Sequence, residues 1–182
     1  MSIRHDALLD SAALTLARSP AASLADVARD AGMSRTTLFT RYPTREALLE
    51  ALALDALDKV EAAYTDAGVA AVGADLVSVL TLLVERLLPL GPRMVFLLRE
   101  RSLDENAEVT SRYVALEEPL VALLASARDD GVLRTDLSLV WQSAALTALV
   151  YAAWDEIELG RLAPRDAVSG VLGIYLDGTR RR

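Results

Sequence analysis

Arg35, Arg41 and Arg45 stand close together between Asp30 and Glu46, with no acidic residue among them. The hydroxyls of Ser34, Thr36, Thr37, Thr40 and Thr44 are interleaved with them. Guanidinium forks and hydroxyls at this density suit anionic oxygens, and a chain of net charge -7 gains nothing from a local basic reversal unless a polyanion meets it. Other chemistries are excluded or weak. There is no cysteine, so disulfides, thiol nucleophiles and cysteine zinc sites are absent, and a reducing compartment fits. His5 is the single histidine and has no neighbour that would complete a metal site or a nucleophilic triad. The acidic pairs Glu117 with Glu118, Asp129 with Asp130, and Glu156 with Glu158 imitate paired carboxylates but sit where solvated faces and helix ends are expected. No enzyme activity and no cofactor are expected.

The elements that position the basic stretch can be read from caps and periodicity. Ser2 can cap a first helix from Ile3 to about Arg18, with Leu9, Ala13 and Leu16 inward and Arg4, Asp10 and Thr15 toward water, until Pro20 ends it. Ser23 with Asp26 three residues on is a capping-box pattern, and Leu24, Val27, Ala28 and Ala31 repeat at helical spacing. Gly32 then suits a left-handed helix end, and Ser34 offers a fresh cap at once, with Met33 and Leu38 as a hydrophobic staple. A tight helix-turn-helix results. Its second helix has Leu38 as its one clear aliphatic anchor, which leaves a polar outer face.

Pro43 and Thr44 close that helix and open another, in which Leu48, Leu49, Leu52, Leu57 and Val60 recur until Gly68. Further helices are predicted over residues 76–88, over a short run opened by Gly91-Pro92, and along Val109, Tyr113, Leu116, Leu120 and Leu124, where Pro119 should kink or divide the pattern. Asp136 is expected to cap a very apolar helix over residues 137–159, and Pro164 to start a last one with Val168, Val171, Leu172, Tyr175 and Leu176 inward. Gly170 and Gly173 permit close helix approach there. Ser138, Gln142, Ser143 and Thr147 interrupt the apolar run and acids flank it, so burial against a partner subunit is preferred to a membrane span. The basic tail Arg180 to Arg182 either complements the end of the last helix or stays disordered. No strand pattern is found, and the chain reads as all-α with about nine helices. Asp6 and Asp10 break the apolar core a signal peptide would need, so a cytoplasmic location is expected.

Charge divides the chain. Residues 1–47 carry 6 Arg against 5 acids, and the remainder carries 13 basic against 21 acidic residues, which suggests two domains of different character. A helix-turn-helix reads DNA by laying its second helix in the major groove, with base contacts near that helix's N-terminus and phosphate contacts at the flanks. Arg35 and Thr36 are placed for bases, and Thr37 follows them on the same first turn. Arg35 can donate two hydrogen bonds to a guanine edge, worth roughly 1–3 kcal/mol of discrimination. Arg45 falls in a helix first turn, where the macrodipole disfavours a cation unless a phosphate sits there; with the hydroxyl of Thr44 it forms a candidate anion site, as Ser23 does at its own cap.

The run from Ser23 through Leu48, Ser-Leu-Ala-Asp-Val-Ala-Arg-Asp-Ala-Gly-Met-Ser-Arg-Thr-Thr-Leu-Phe-Thr-Arg-Tyr-Pro-Thr-Arg-Glu-Ala-Leu, resembles the DNA-binding region of TetR-family transcriptional regulators. The resemblance extends from about residue 3 to 50 in motif detail. It implies a three-helix DNA-binding domain over 1–47 and an effector-binding and dimerisation domain over 48–182. It further implies a homodimer formed through the last two helices, a near-palindromic double-stranded DNA operator, and release of a repressor by a small apolar effector. The family's usual Tyr-x-His-Phe is here Phe39-Thr40-Arg41-Tyr42, and its usual Lys is Arg45, so the tyrosine hydroxyl is missing at Phe39. The implied DNA-contact set is Ser23, Ser34, Arg35, Thr36, Thr37, Phe39, Arg41, Tyr42, Thr44 and Arg45, with Phe39 and Tyr42 open between core and contact. Met94, Phe96, Leu97, Tyr113, Trp141, Tyr151 and Trp154 are candidates for an effector pocket or for ordinary core. The alternative from another class is a helical ligand-sequestering or protein-interaction bundle whose helix-turn-helix no longer binds DNA.

Overall fold

A computed structural model of the chain describes residues 3–71, 73–103 and 105–181. Among them are nine α-helices and two 3-10 turns: α1 Ile3–Arg18, α2 Leu24–Asp30, α3 Arg35–Arg41, α4 Arg45–Asp66, α5 Leu76–Leu87, α6 Gly91–Arg99, α7 Ala107–Asp129, α8 Leu139–Glu158 and α9 Pro164–Thr179, with the turns at Leu88–Leu90 and Arg101–Leu103. Ser2, proposed as the first cap, lies outside the described residues. Among the described residues one isolated antiparallel bridge, Leu133 with Arg180, is the only extended pairing. The chain forms two compact units, residues 1–58 with 92–111 and residues 59–91 with 112–182.

In the first unit α1, α2 and α3 pack around Leu9, Ala12, Ala13, Leu16, Val27, Ala28 and Leu38, each 4% exposed or less. Thr15, expected on the wet side of α1, is instead buried at 9% and donates its hydroxyl to Asp30 Oδ2 at 3.1 Å. The reason is tertiary: the end of α2 supplies an acceptor that helical periodicity in α1 cannot reveal. Residues 92–111 join this unit through side chains as well as apolar packing. Arg93, 5% exposed, donates Nε to Asp55 Oδ2 at 2.8 Å and brings Nη2 within 2.5 Å of Asp10 Oδ1, while Asn106 Nδ2 donates to Glu50 Oε1 at 2.8 Å.

In the second unit α9 packs on α8 and α5, and α8 also meets the 88–90 turn. Leu80, Leu83, Val84, Leu124, Leu146 and Val150 form the centre, each 1% exposed or less. The cap of α8 is Ser138, whose hydroxyl accepts from Trp141 N, rather than Asp136, whose carboxylate is held by Arg134. α7 runs undivided through Pro119. Proline has no N–H to give, so the Ala115 carbonyl one turn earlier loses its ladder partner.

Gly91 has a steric rather than a conformational cause. A Cβ built there would lie 2.0 Å from Cδ1 and Cγ of Trp154, because the indole occupies the space a side chain would need. Gly91→Ala is therefore expected to destabilise by roughly 1–3 kcal/mol through overpacking. Thermal unfolding should show the loss, and adding Trp154→Leu should recover most of it.

Candidate nucleic-acid interface

α2 and α3 owe their angle to three local devices. Ser23 and Asp26 form the complete capping box: Asp26 N donates to Ser23 Oγ at 3.2 Å and Ser23 N donates to Asp26 Oδ2 at 2.9 Å. α2 then ends in a Schellman turn, with Met33 N donating to Ala28 O and Gly32 N to Arg29 O, and Gly32 takes the positive φ of 65° this geometry needs. Ser34 Oγ accepts from Thr37 N at 3.1 Å and opens α3 immediately. Hydrogen bonding from Ser23, chiefly its side chain, holds the Asp26 carboxyl below the usual carboxylate range. A depressed folded value means this contribution is present above the ordinary carboxylate range and is lost as pH falls through the depressed one. Ser23→Ala removes the hydroxyl half of the box, leaving the backbone bond from residue 23 to Asp26, and is expected to cost about 1 kcal/mol in thermal or denaturant unfolding.

α3 is seven residues long and one of them, Leu38, is buried, at 0% exposure. Everything else on it faces outward. Arg35, Thr36, Thr37, Phe39, Thr40 and Arg41 are exposed, and the Arg35 guanidinium lies over the Phe39 ring at 5.8 Å, which holds the fork at the helix N-terminus. Thr37 shares its hydroxyl with Ser34 at 2.8 Å and Thr40 donates back to Thr36 O at 2.8 Å. Among the described residues the Thr36 hydroxyl has no such partner, which leaves it beside Arg35 as an open polar group of the first turn.

Two members of the sequence-derived set are placed differently from the rest. The Tyr42 ring is 7% exposed and packs in the core, with Arg41 5.9 Å over it; burial raises its phenol above the usual range while Arg41 opposes the shift. Arg45 directs its guanidinium to backbone carbonyls, Nη1 to Ala22 O at 2.5 Å and Nη2 to Pro20 O at 2.6 Å. It thereby clasps the α1–α2 connection against the start of α4, where Thr44 Oγ1 caps Ala47 N at 3.1 Å. Sequence reasoning reached the charge of Arg45 but not these acceptors, which nothing in local spacing signals.

The effector candidates are divided between the units. Met94 and Phe96 are buried and Leu97 is half-buried in the first; Phe96 borders a recess of about 30 Å³ with Leu16, Pro20, Val95 and Glu100. In the second, Tyr151 and Trp154 stack tilted at 6.4 Å and Tyr113 is half-buried. Trp141 is 62% exposed at the start of α8 and so stands on the surface, not in a pocket wall. The larger recesses of the second unit have walls that sequence reasoning missed. One of about 460 Å³ is lined by residues including Glu61, Tyr64, Ala115, Leu116 and Pro119, and one of about 600 Å³ shares Val69, Ala70, Ala71 and Pro119 with it. Burial, then the Glu117 carboxylate and Tyr113, push the Tyr64 phenol up, and burial and Glu117 do the same to Tyr113. Two phenols thus share the field of one carboxylate.

Among the described residues no group of three or more His, Cys, Asp or Glu could hold a metal ion, and no helix is long and apolar enough to cross a membrane. A capped helix-turn-helix with a polar second helix, set in an all-helical chain, defines a DNA-binding regulator. Residues 9–52 match the profile of the bacterial regulatory proteins of the tetR family. The chain is 32% identical over 154 residues to the HTH-type transcriptional repressor LfrR of Mycolicibacterium smegmatis, covering 85% of this chain and 79% of that one. It therefore belongs to the TetR family of transcriptional regulators. The crystal structure of LfrR from Mycobacterium smegmatis in complex with proflavine is similar at TM-score 0.77 and 29% identity, covering 96% of each chain. A TetR-family regulator from Rhodococcus sp. shares the fold at TM-score 0.71 and 22% identity, over 97% of this chain and 98% of that one.

Proposed function

We propose that the protein is a homodimeric repressor that binds a near-palindromic operator and is released by a small effector. The observation that carries this reading is the outer face of α3, where Arg35, Thr36, Thr37 and Phe39 are exposed while Leu38 anchors the helix from beneath. Arg35 and Thr36 read base edges; Arg41, Thr44 and the caps at Ser23 and Ser34 lie where the flanking phosphates pass. Arg45 holds the α1–α2 connection in place for those contacts and adds its charge to the phosphate side.

Dimerisation through α8 and α9 is supported by what these helices leave uncovered. Val140, Trp141, Ala144, Ala148 and Ala152 are exposed along α8, and Gly170, Gly173 and Ile174 along α9. Trp141 and Ile174 are 62% and 66% exposed, and a Cβ at either glycine would meet nothing within 4 Å. Small residues beside exposed large apolar ones fit a second copy of the same face. Two reading heads would then engage half-sites about 34–36 Å apart.

The effector is proposed to be flat and aromatic. Support comes from the relative solved with proflavine and from Tyr64, which lines the recess of about 460 Å³ and whose phenol feels the Glu117 carboxylate and Tyr113. A carboxylate shared by two rings favours a cationic amine over a neutral hydrocarbon. Binding shifts the heads only as far as the effector's affinity for the two states differs.

The test is retention of fragments from around the encoding locus, with and without proflavine, and protection mapping of the bound site. Salt-sensitive, symmetric protection relieved by proflavine is expected. A protein that binds proflavine but retains no DNA at low salt is the ligand-sequestering bundle instead.

A further inference from the structure

The second unit of this acidic chain contains a basic recess that the DNA-binding reading leaves unused. It measures about 420 Å³ and lies between the α7–α8 connection and the chain's C-terminal segment, with Arg128, Arg134, Arg180 and Arg181 in its wall together with Thr135 and Asp136. Four guanidiniums face one carboxylate there.

The wall is held in place rather than loosely gathered. Arg134 N donates to Thr179 O at 2.9 Å and Arg181 N to Val132 O at 3.0 Å, and Leu133 bridges Arg180. Arg134 is fixed by Asp136 through Nε and Nη2 and by Gly178 O through Nη1. Arg128 Nη2 donates to Leu137 O at 2.5 Å, which orients its plane, yet its Nε is shut off from water without an acceptor. A buried donor without a partner is costly, and a cationic one more so. Among the described residues Arg128, Arg180 and Arg181 meet no carboxylate, so three of the four cations are left for a ligand.

We propose that this recess binds a small, multiply charged oxyanion of the phosphate or pyrophosphate type. Guanidinium forks bond such oxygens in pairs, Thr135 can add a hydroxyl, and Asp136, already engaged by Arg134, repels little. A volume of a few hundred Å³ suits a small molecule better than a groove-spanning polymer. Because the bound anion would bridge α7 to the segment after α9, it would tighten the second unit.

Isothermal titration of the full-length protein with inorganic pyrophosphate at low salt tests this, with chloride as the control anion. One saturable site per chain is expected, weakened about tenfold or more in Arg128→Met and in the exposed pair Arg180→Ala with Arg181→Ala. The exposed pair keeps the test decisive if Arg128→Met does not fold. Pyrophosphate should also raise the melting temperature of the unaltered protein and not of the pair variant. Absence of saturable binding, or equal binding by the pair variant, overturns the proposal. So does displacement of pyrophosphate by duplex DNA of unrelated sequence with parallel loss of DNA affinity in the pair variant, since the occupant is then a nucleic-acid backbone.

Discussion

Arg93→Ala is expected to destabilise the protein by about 3–5 kcal/mol, the range for removing one partner of a buried ion pair. Arg93 is 5% exposed and joins three helices of one unit, reaching Asp55 on α4 at 2.8 Å and Asp10 on α1 at 2.5 Å. The two carboxylates are not equal. Asp55 has a side-chain exposure of 14% and loses a desolvated partner, whereas Asp10 at 60% can turn to water. Most of the cost therefore belongs to the Asp55 side. For a chain of this size each kcal/mol moves the melting temperature by about 2–4 °C, so the shift should be several times that. Arg93→Met combined with Asp55→Leu should restore much of it, because an apolar pair of similar volume avoids the stranded charge. Hydrogen exchange should locate the damage: residues 92–111 lose protection first in Arg93→Ala. A melting temperature within a degree or two of the unaltered protein would show that the pair contributes nothing.

Leu38→Ala is the second large effect. A seven-residue helix cannot persist in water on its own, and α3 has this single buried side chain to hold it against α2 and the core beneath. Truncation removes the anchor and leaves a cavity, at a cost of about 2–5 kcal/mol. The consequence for DNA differs from that of a contact residue. Operator and unrelated DNA should both be bound more weakly, since the whole reading face loses its seat, while the salt dependence of what remains changes little. Leu38→Met conserves volume and should cost less than about 1.5 kcal/mol with DNA binding kept. Near-normal operator affinity in a folded Leu38→Ala protein would mean that α3 is held by something other than this side chain.

The helix-turn-helix was legible in the sequence because local rules set it. Ser23 with Asp26, Gly32, Ser34 and Thr44 each act over three or four residues, and all four devices are found in the structure. Pro164 likewise opens α9 as expected. What escaped depends on partners distant in the chain. Arg93 reads as one more surface cation until Asp10 and Asp55 are brought to it, Thr15 reads as solvated until Asp30 arrives, and Arg45 gives no hint that its acceptors are the carbonyls of Pro20 and Ala22. Aromatic side chains misled in the same way. Trp141 and Trp154 share a helix and a residue type, yet one lies 62% exposed and the other packs on Gly91, a difference set by neighbours that helical spacing does not specify.

The division of labour on α3 is the centre of the account, and a salt titration of operator and unrelated DNA with Arg35→Ala beside the unaltered protein tests it most directly. Arg35→Ala should lose roughly 1–3 kcal/mol of preference for the operator while its affinity for unrelated DNA stays nearly unchanged. An equal loss on both DNAs with a flatter salt slope would contradict the account, because Arg35 would then be holding phosphate and not reading a base.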